Sequence, residues 1–171
     1  SAVGSLKEEL SPGKFIIVNQ FIDLTYARDK TFFDRNIVAH VSMAIPTCLH
    51  TSNLVYKASQ NVGIDIQNNG TYLAMEGPQF SSLAESLLYR NWNCDVIGMT
   101  NMPEAKLARE AEIRYVPIAM VTDYDCWREN DDNVGVEEII KNLTQNSNNA
   151  KLLIKSFVKE FSINRSEDVI D

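Results

Sequence analysis

The chain has 171 residues, 44% of them apolar and 23% charged, and a formal net charge of -7. That length suits one domain with a real core, and the composition is ordinary for a soluble globular protein. The negative charge repels nucleic acid and anionic membrane, so neither is an expected partner, and no run approaches the length of a transmembrane helix.

The start, Ser1-Ala2-Val3-Gly4, has neither the charged region nor the apolar core of a signal peptide. Ser1 to Leu6 reads as a strand end running into a turn, so a domain beginning in mid-motif, without its amino-terminal part, is expected. Glu8 to Gly13 is a turn, because Pro12 fixes φ and Gly13 frees it. Phe15 to Ile22 is β-branched and aromatic and predicts one strand. Asp23 to Pro46 is long, mixed and irregular, the profile of a functional or disordered loop. Pro46 to Val62 predicts a helix with Leu49, Leu54, Val55 and Ala58 on its apolar face, ended by Gly63.

Asn68-Asn69-Gly70 is a turn, and Thr71 to Met75 a short strand. After Glu76 to Ser82 comes a helix, Leu83 to Trp92, opened by a capping box of Ser82 and Glu85. Asp95 to Met99 is a short buried strand, and Pro103 opens a helix from Glu104 to Ala111. Arg114 to Val121 is a buried strand that stops at Thr122-Asp123-Tyr124-Asp125. A polar segment, Arg128 to Asn133, leads to a long amphipathic helix from about Val136 to Phe161, and Ser162 to Asp171 reads as a frayed tail. The alternation of strands and helices predicts an α/β layered fold, with no internal repeat and no linker.

Three segments share one grammar of apolar strand, polar switch and helix start: Met75 to Ser81, Gly98 to Asn101, and Val121 to Asp125. If their strands are adjacent and parallel, the switches gather at one sheet edge and form a crevice for a planar polar heterocycle and an anion. Asp123 and Asp125 point to the same side if the chain stays extended, though on spacing alone the pair reads first as turn formers. Each other component has a plain structural role open to it. Ser81 and Ser82 suit helix caps, Thr100 a cap for the helix at Pro103, and Phe80 the core. Glu76 can simply bond the turn after it, and His40 suits a loop or an interface.

Cys48, Cys94 and Cys126 are an odd number without CxxC spacing, which predicts free thiols in a reducing, cytoplasmic compartment. With only His40 and His50 beside them, no metal site and no cofactor is expected. There is no glycine-rich phosphate loop and no nucleophile elbow. Residue by residue, the sequence reaches an α/β small-molecule site with an aspartate pair.

Glu76 to Ser82 with Ala84-Glu85-Ser86, Ile97 to Glu104, and Ala119 to Trp127 together resemble the 5′-methylthioadenosine phosphorylases, the adenine-preferring branch of the trimeric purine nucleoside phosphorylase family. Gly4 to Leu6 with Glu8-Glu9, then Pro12-Gly13 and Asp23, match in the same order, so the resemblance covers nearly the whole chain. It implies a mixed β-sheet flanked by helices. The implied reaction is attack of phosphate, a co-substrate, on C1′ of 5′-methylthioadenosine, giving adenine and 5-methylthioribose 1-phosphate for purine and methionine salvage. By resemblance, Asp123 meets N7 and the 6-amino group of the purine, with Asp125 in support, whereas Asn at that position suits 6-oxopurines. Phe80 packs on the base, Ser81 lies beside it, and Met99 lies under the ribose. Ser1 and Thr100 meet phosphate, with the small residue Ala2 alongside. Val136 and Ile140 line the 5′ pocket, and His40 reaches the 5′-thio group of a neighbouring subunit in a homotrimer. The resemblance also implies a preceding segment that carries the first phosphate-binding loop and an Arg-His pair. Two other readings remain: a 6-oxopurine phosphorylase or hydrolytic nucleosidase of the same superfamily, and a non-catalytic purine-binding remnant.

Overall fold

The computed structural model describes residues 1–33, 36–128 and 136–163, with side chains of the last stretch from residue 140 onward. Seven strands form one sheet: β1 (Ala2–Ser5), β2 (Phe15–Ile17), β3 (Gln20–Asp23), β4 (Ile66–Asn68), β5 (Thr71–Ala74), β6 (Val96–Gly98) and β7 (Ile118–Tyr124). Four helices flank it: α1 (Leu49–Val62), α2 (Leu83–Asn91), α3 (Glu104–Glu110) and α4 (Val136–Ile163). The fold is the expected α/β arrangement of a mixed sheet with helices.

Sheet order is β3-β5-β6-β1-β7-β2-β4. The single strand expected over Phe15–Ile22 is therefore two strands, β2 and β3, with four others between them. Only Val18 and Asn19 connect them. Three Cα–Cα steps span at most about 11 Å. In a flat sheet the two strands would lie about 24 Å apart at ordinary interstrand spacing. The sheet must curl until its ends meet. Hydrogen bonds from the Asn19 and Gln20 N–H groups to the Gly70 carbonyl, at 3.1 and 3.3 Å, fasten the link to the start of β5.

One face of the strands converges inside this curl. Val3, Ile16, Val18, Tyr72, Ala74, Val96, Ala119 and Val121 form a single buried cluster with Leu10, Met102 and Ala105, and Phe21 packs against it. The alternate residues face outward. Phe15, Ile17, Ile118 and Met120 pack with Val55 and Ala58 of α1 and Leu153 of α4. Leu73 and Ile97 pack with Tyr89 of α2. This is the two-residue period of a strand read from both faces.

Several boundaries differ from expectation. β4 was not foreseen; it is three residues long and pairs parallel with β2. α1 begins three residues after Pro46, where the Cys48 N–H donates to the Tyr115 carbonyl, and its Leu49 is 61% exposed rather than buried. The Ser82–Glu85 capping box is present at α2. Pro103 is the N-cap of α3, just outside the first turn. α4 buries a narrower stripe than its apolar residues imply: Asn146 and Leu153 are buried, while Ile140, Leu143 and Leu152 are exposed. No described residue between Asp23 and Pro46 belongs to a helix or strand. Most of the polar segment after Arg128, and the tail beyond Ile163, lie outside the described residues.

Closure leaves no room at Gly70, where an added Cβ would stand 2.6 Å from Ile16 Cγ2. Gly70→Ala should cost about 1–3 kcal/mol through overpacking. In urea unfolding, an Ile16→Ala, Gly70→Ala double variant should lose less than the sum of the single losses. Strict additivity would show that the two sites do not meet.

Candidate functional site

β7 carries the aspartates, and its geometry departs from expectation in two ways. It runs through Tyr124, so Asp123 lies within the strand and is not a turn former. It is also antiparallel to β5 and β6, because β1, lying between, pairs parallel with β7 and antiparallel with β6. The three polar switches therefore do not share a sheet edge. What joins the first and third is a side-chain bond: the Ser81 hydroxyl donates to Asp125 Oδ1 at 3.4 Å. The Cys126 thiol also donates to the Ser81 carbonyl, at 3.3 Å.

A bulge aims the carboxylates. Val3 pairs with Val121 and Gly4 with Asp123, which leaves Thr122 as the extra residue. Two asparagines of α4 hold it in place. Asn146 donates to the Val121 carbonyl at 2.9 Å, and Asn142 to the Thr122 carbonyl at 3.3 Å. The Asp125 N–H then donates to the Ser5 carbonyl at 2.9 Å, and the Trp127 indole donates to the same oxygen at 2.8 Å. These two bonds fix the chain just past the strand.

Burial pushes the Asp123 carboxyl above its ordinary value, and the neighbouring Asp125 adds to the rise. The Thr122 hydroxyl, 2.5 Å from Asp123 Oδ1, works the other way. Asp125 Oδ2 is shielded from solvent and has no hydrogen-bond partner among the described residues. A carboxyl raised in this way holds its proton more tightly than an ordinary surface aspartate, which suits donation to a basic ring nitrogen.

The second switch is built differently. The buried Tyr72 phenol accepts the Thr100 N–H at 3.2 Å and lies 3.2 Å from Thr100 Oγ1, so Thr100 does not cap α3. Ser1 Oγ is shielded, lacks a hydrogen-bond partner among the described residues, and lies near enough to that phenol to influence its ionisation. Met99 sits against Gly77 in the loop before α2, and Ala2 is exposed at the start of β1. Ser1 and Thr100 are thus drawn together around Tyr72, and Ser81, Asp123 and Asp125 around the end of β7.

The remaining expected residues stand apart. Phe80 is 84% exposed, so it is no part of the core and its ring is free to cover a ligand. His40 and Ile140 are exposed, and the Val136 side chain lies outside the described residues. Glu76 does not bond its own turn. It accepts the N–H groups of Tyr26, at 2.7 Å, and Ala27, at 3.2 Å, and pairs with Arg28 at 3.3 Å. This ties the long loop to the end of β5. Among the described residues no His, Cys, Asp or Glu cluster could hold a metal ion.

Sequence reasoning passed over Tyr72, Thr122, Asn142 and Asn146. A usable signal existed for the asparagines, whose spacing of four places them on the stripe of α4 that also carries Leu153. Cavities lie elsewhere. One of about 360 Å³ runs between α1 and α4 along Val55, Leu153 and Phe157. Another, of about 560 Å³, is lined by residues 41–42, 44–49 and 109, 112–115. Neither is lined by Asp123, Asp125, Ser81 or Thr100.

Comparison with known proteins identifies the family. The profile of the phosphorylase superfamily matches residues 1–159. The S-methyl-5′-thioadenosine phosphorylase of Rhodospirillum rubrum is 57% identical over 156 residues, 91% of this chain and 53% of that protein. The protein of the same name from Cereibacter sphaeroides is 56% identical over 154 residues, 90% of this chain and 53% of its own length. This chain spans about half the length of these relatives. A methylthioadenosine phosphorylase from an antarctic soil metagenomic library superposes with a TM-score of 0.90 at 47% identity, covering 96% of this chain and 58% of that one. The Schistosoma mansoni methylthioadenosine phosphorylase in complex with adenine gives 0.89 at 31% identity, covering 95% and 63%.

A carboxyl whose folded pKa exceeds its unfolded value binds its proton more tightly in the folded state. Stability then falls as pH rises from the unfolded value through the folded one. Asp123→Asn removes that loss. The variant should gain stability over the parent at neutral pH, and the gain should vanish below about pH 3, where both states are protonated. Thermal melting from pH 3 to 8 checks this, and a pH-independent difference would contradict the raised pKa.

Proposed function

The chain belongs to the phosphorylase superfamily, and from that premise we propose that the whole protein is a 5′-methylthioadenosine phosphorylase. In this reading a phosphate oxygen bonds to C1′ as the C1′–N9 bond breaks. The purine leaves with the bonding electrons and 5-methylthioribose 1-phosphate remains. The transition state is oxocarbenium-like, so catalysis rests on neutralising the departing base and placing the anion.

The observation that carries this reading is the half-buried Asp123 carboxyl, pushed up by burial and by Asp125, at the end of β7. A protonated Asp123 donates to N7 as negative charge builds on the ring, and its other oxygen accepts from the 6-amino group. That pairing favours adenine over a 6-oxopurine. Asp125 and Ser81, joined by their hydrogen bond, hold the base edge in place. Phe80, with its ring exposed, closes over the base, and Met99 lies beneath the ribose. Ser1 and Thr100 take the phosphate, with both hydroxyls beside the Tyr72 phenol, and the small residue Ala2 borders the substrate alongside them. Val136 and Ile140 line the 5′ pocket. Inorganic phosphate is the co-substrate, and no cofactor takes part.

We assign a homotrimer in the cytoplasm as the working state, with His40 of one subunit reaching the 5′-thio group of the next. Supporting this, the loop around His40 exposes Phe32, Ile37, Val38 and Ile45, and the three cysteines are free thiols.

Adenine release from 5′-methylthioadenosine by the whole protein should require added phosphate. Asp123→Ala should lower kcat/KM about 10²–10³-fold, the usual loss when a group that stabilises transition-state charge is removed. Spectrophotometric assay of adenine checks both. Release without phosphate, or unchanged turnover by the variant, would overturn the assignment.

A further inference from the structure

We propose that Tyr72 is a positioning residue that turns the Thr100 hydroxyl outward as a hydrogen-bond donor for the phosphate co-substrate; this rests on the phosphorylase reading above. Tyr72 is fully buried inside the curled sheet, and its phenol oxygen is placed against the one residue of the second switch that faces solvent.

Either oxygen of the Tyr72–Thr100 pair can donate, and the Thr100 N–H already bonded to Tyr72 Oη favours the phenol as the donor. The Thr100 N–H donates to Tyr72 Oη at 3.2 Å. The phenol proton is then free to go to Thr100 Oγ1, 3.2 Å away. A threonine hydroxyl that accepts on its inner side has its own proton left to give on its outer side, where Thr100 is exposed. Such chains polarise each member and strengthen the last donor. Burial pushes the Tyr72 phenol above its ordinary value, so it stays protonated and keeps this direction across neutral pH. Ser1 Oγ, shielded and unpartnered beside the same phenol, supplies a second hydroxyl for the same anion.

The fold makes room for this phenol at one residue. An added Cβ at Gly98 would lie 2.1 Å from Tyr72 Oη and 2.9 Å from Cζ, so the ring runs across a glycine to reach Thr100. A tyrosine needed only to fill the core has no use for a hydroxyl here, since a buried O–H must find partners. Two of the polar atoms it meets belong to Thr100, and the third is the Ser1 hydroxyl beside it.

The test is steady-state kinetics of the whole protein, varying phosphate at saturating 5′-methylthioadenosine and the nucleoside at saturating phosphate. Tyr72→Phe should raise the phosphate KM about tenfold, the scale of one hydrogen bond to a charged ligand. The nucleoside KM and kcat at saturating phosphate should stay within about twofold of the parent. A phosphate KM that does not change, or equal losses for both substrates, would overturn the proposal. If Tyr72→Phe does not fold, 3-fluorotyrosine placed at position 72 keeps the shape and makes the phenol a stronger acid. The phosphate KM should then fall at neutral pH and rise at alkaline pH, where the fluorinated phenol ionises and draws the Thr100 proton inward. No shift in either range would overturn the proposal. Failure of the parent protein to need phosphate would instead remove the phosphorylase reading, so the two failures are distinguishable.

Discussion

A two-residue link governs this structure. Val18 and Asn19 join strands that sit six places and one place along a seven-stranded sheet, and only a curled sheet lets so short a link reach. Curling creates an inside, and the inside collects one face of the strands into a common core. It also decides where small residues are needed. Gly70 lets β5 meet Ile16, and Gly98 lets Tyr72 cross beneath β6 to the polar residues beyond it. The phosphate end of the proposed site is thus a by-product of closure: a buried aromatic ring surfaces its one polar atom at Thr100.

The purine end depends on a different constraint. β1 reverses the direction of the sheet between β6 and β7, so the aspartates leave from the edge opposite the Gly98 switch. Nearness is restored by local devices. The Thr122 bulge turns β7, two α4 asparagines hold the bulge, and the Ser5 carbonyl grips both Asp125 and Trp127. Ser81 then crosses over from the loop before α2 to meet Asp125. Burial, with the Asp125 charge beside it, disfavours ionisation of Asp123.

Much of this was legible in the sequence. Elements with long or strongly patterned segments, α2 with its capping box and α4 with its apolar repeat, fell where the pattern put them. The α/β class followed from alternation alone. The division of Phe15–Ile22 did not, because β2 and β3 have the same composition and differ only in which distant strand they join. β4 was missed because three residues are too few to show a period. Asp123 and Asp125 were visible as a pair, but spacing could not tell a turn from a strand; the register of β7 with β1 places Asp123 in the strand. Tyr72 and Asn146 carry no local signal of their roles. One reads as a strand aromatic and the other as a polar residue on a helix, and only tertiary packing brings the phenol of one and the amide N–H of the other to the candidate site.

The most direct measurement follows the oxygen. When the whole protein acts on 5′-methylthioadenosine with ¹⁸O-labelled phosphate, the account predicts that the label appears in the oxygen bridging C1′ and phosphorus of the pentose product, in step with adenine release. Adenine formed together with free, unlabelled methylthioribose would mean that water is the nucleophile, and would contradict it.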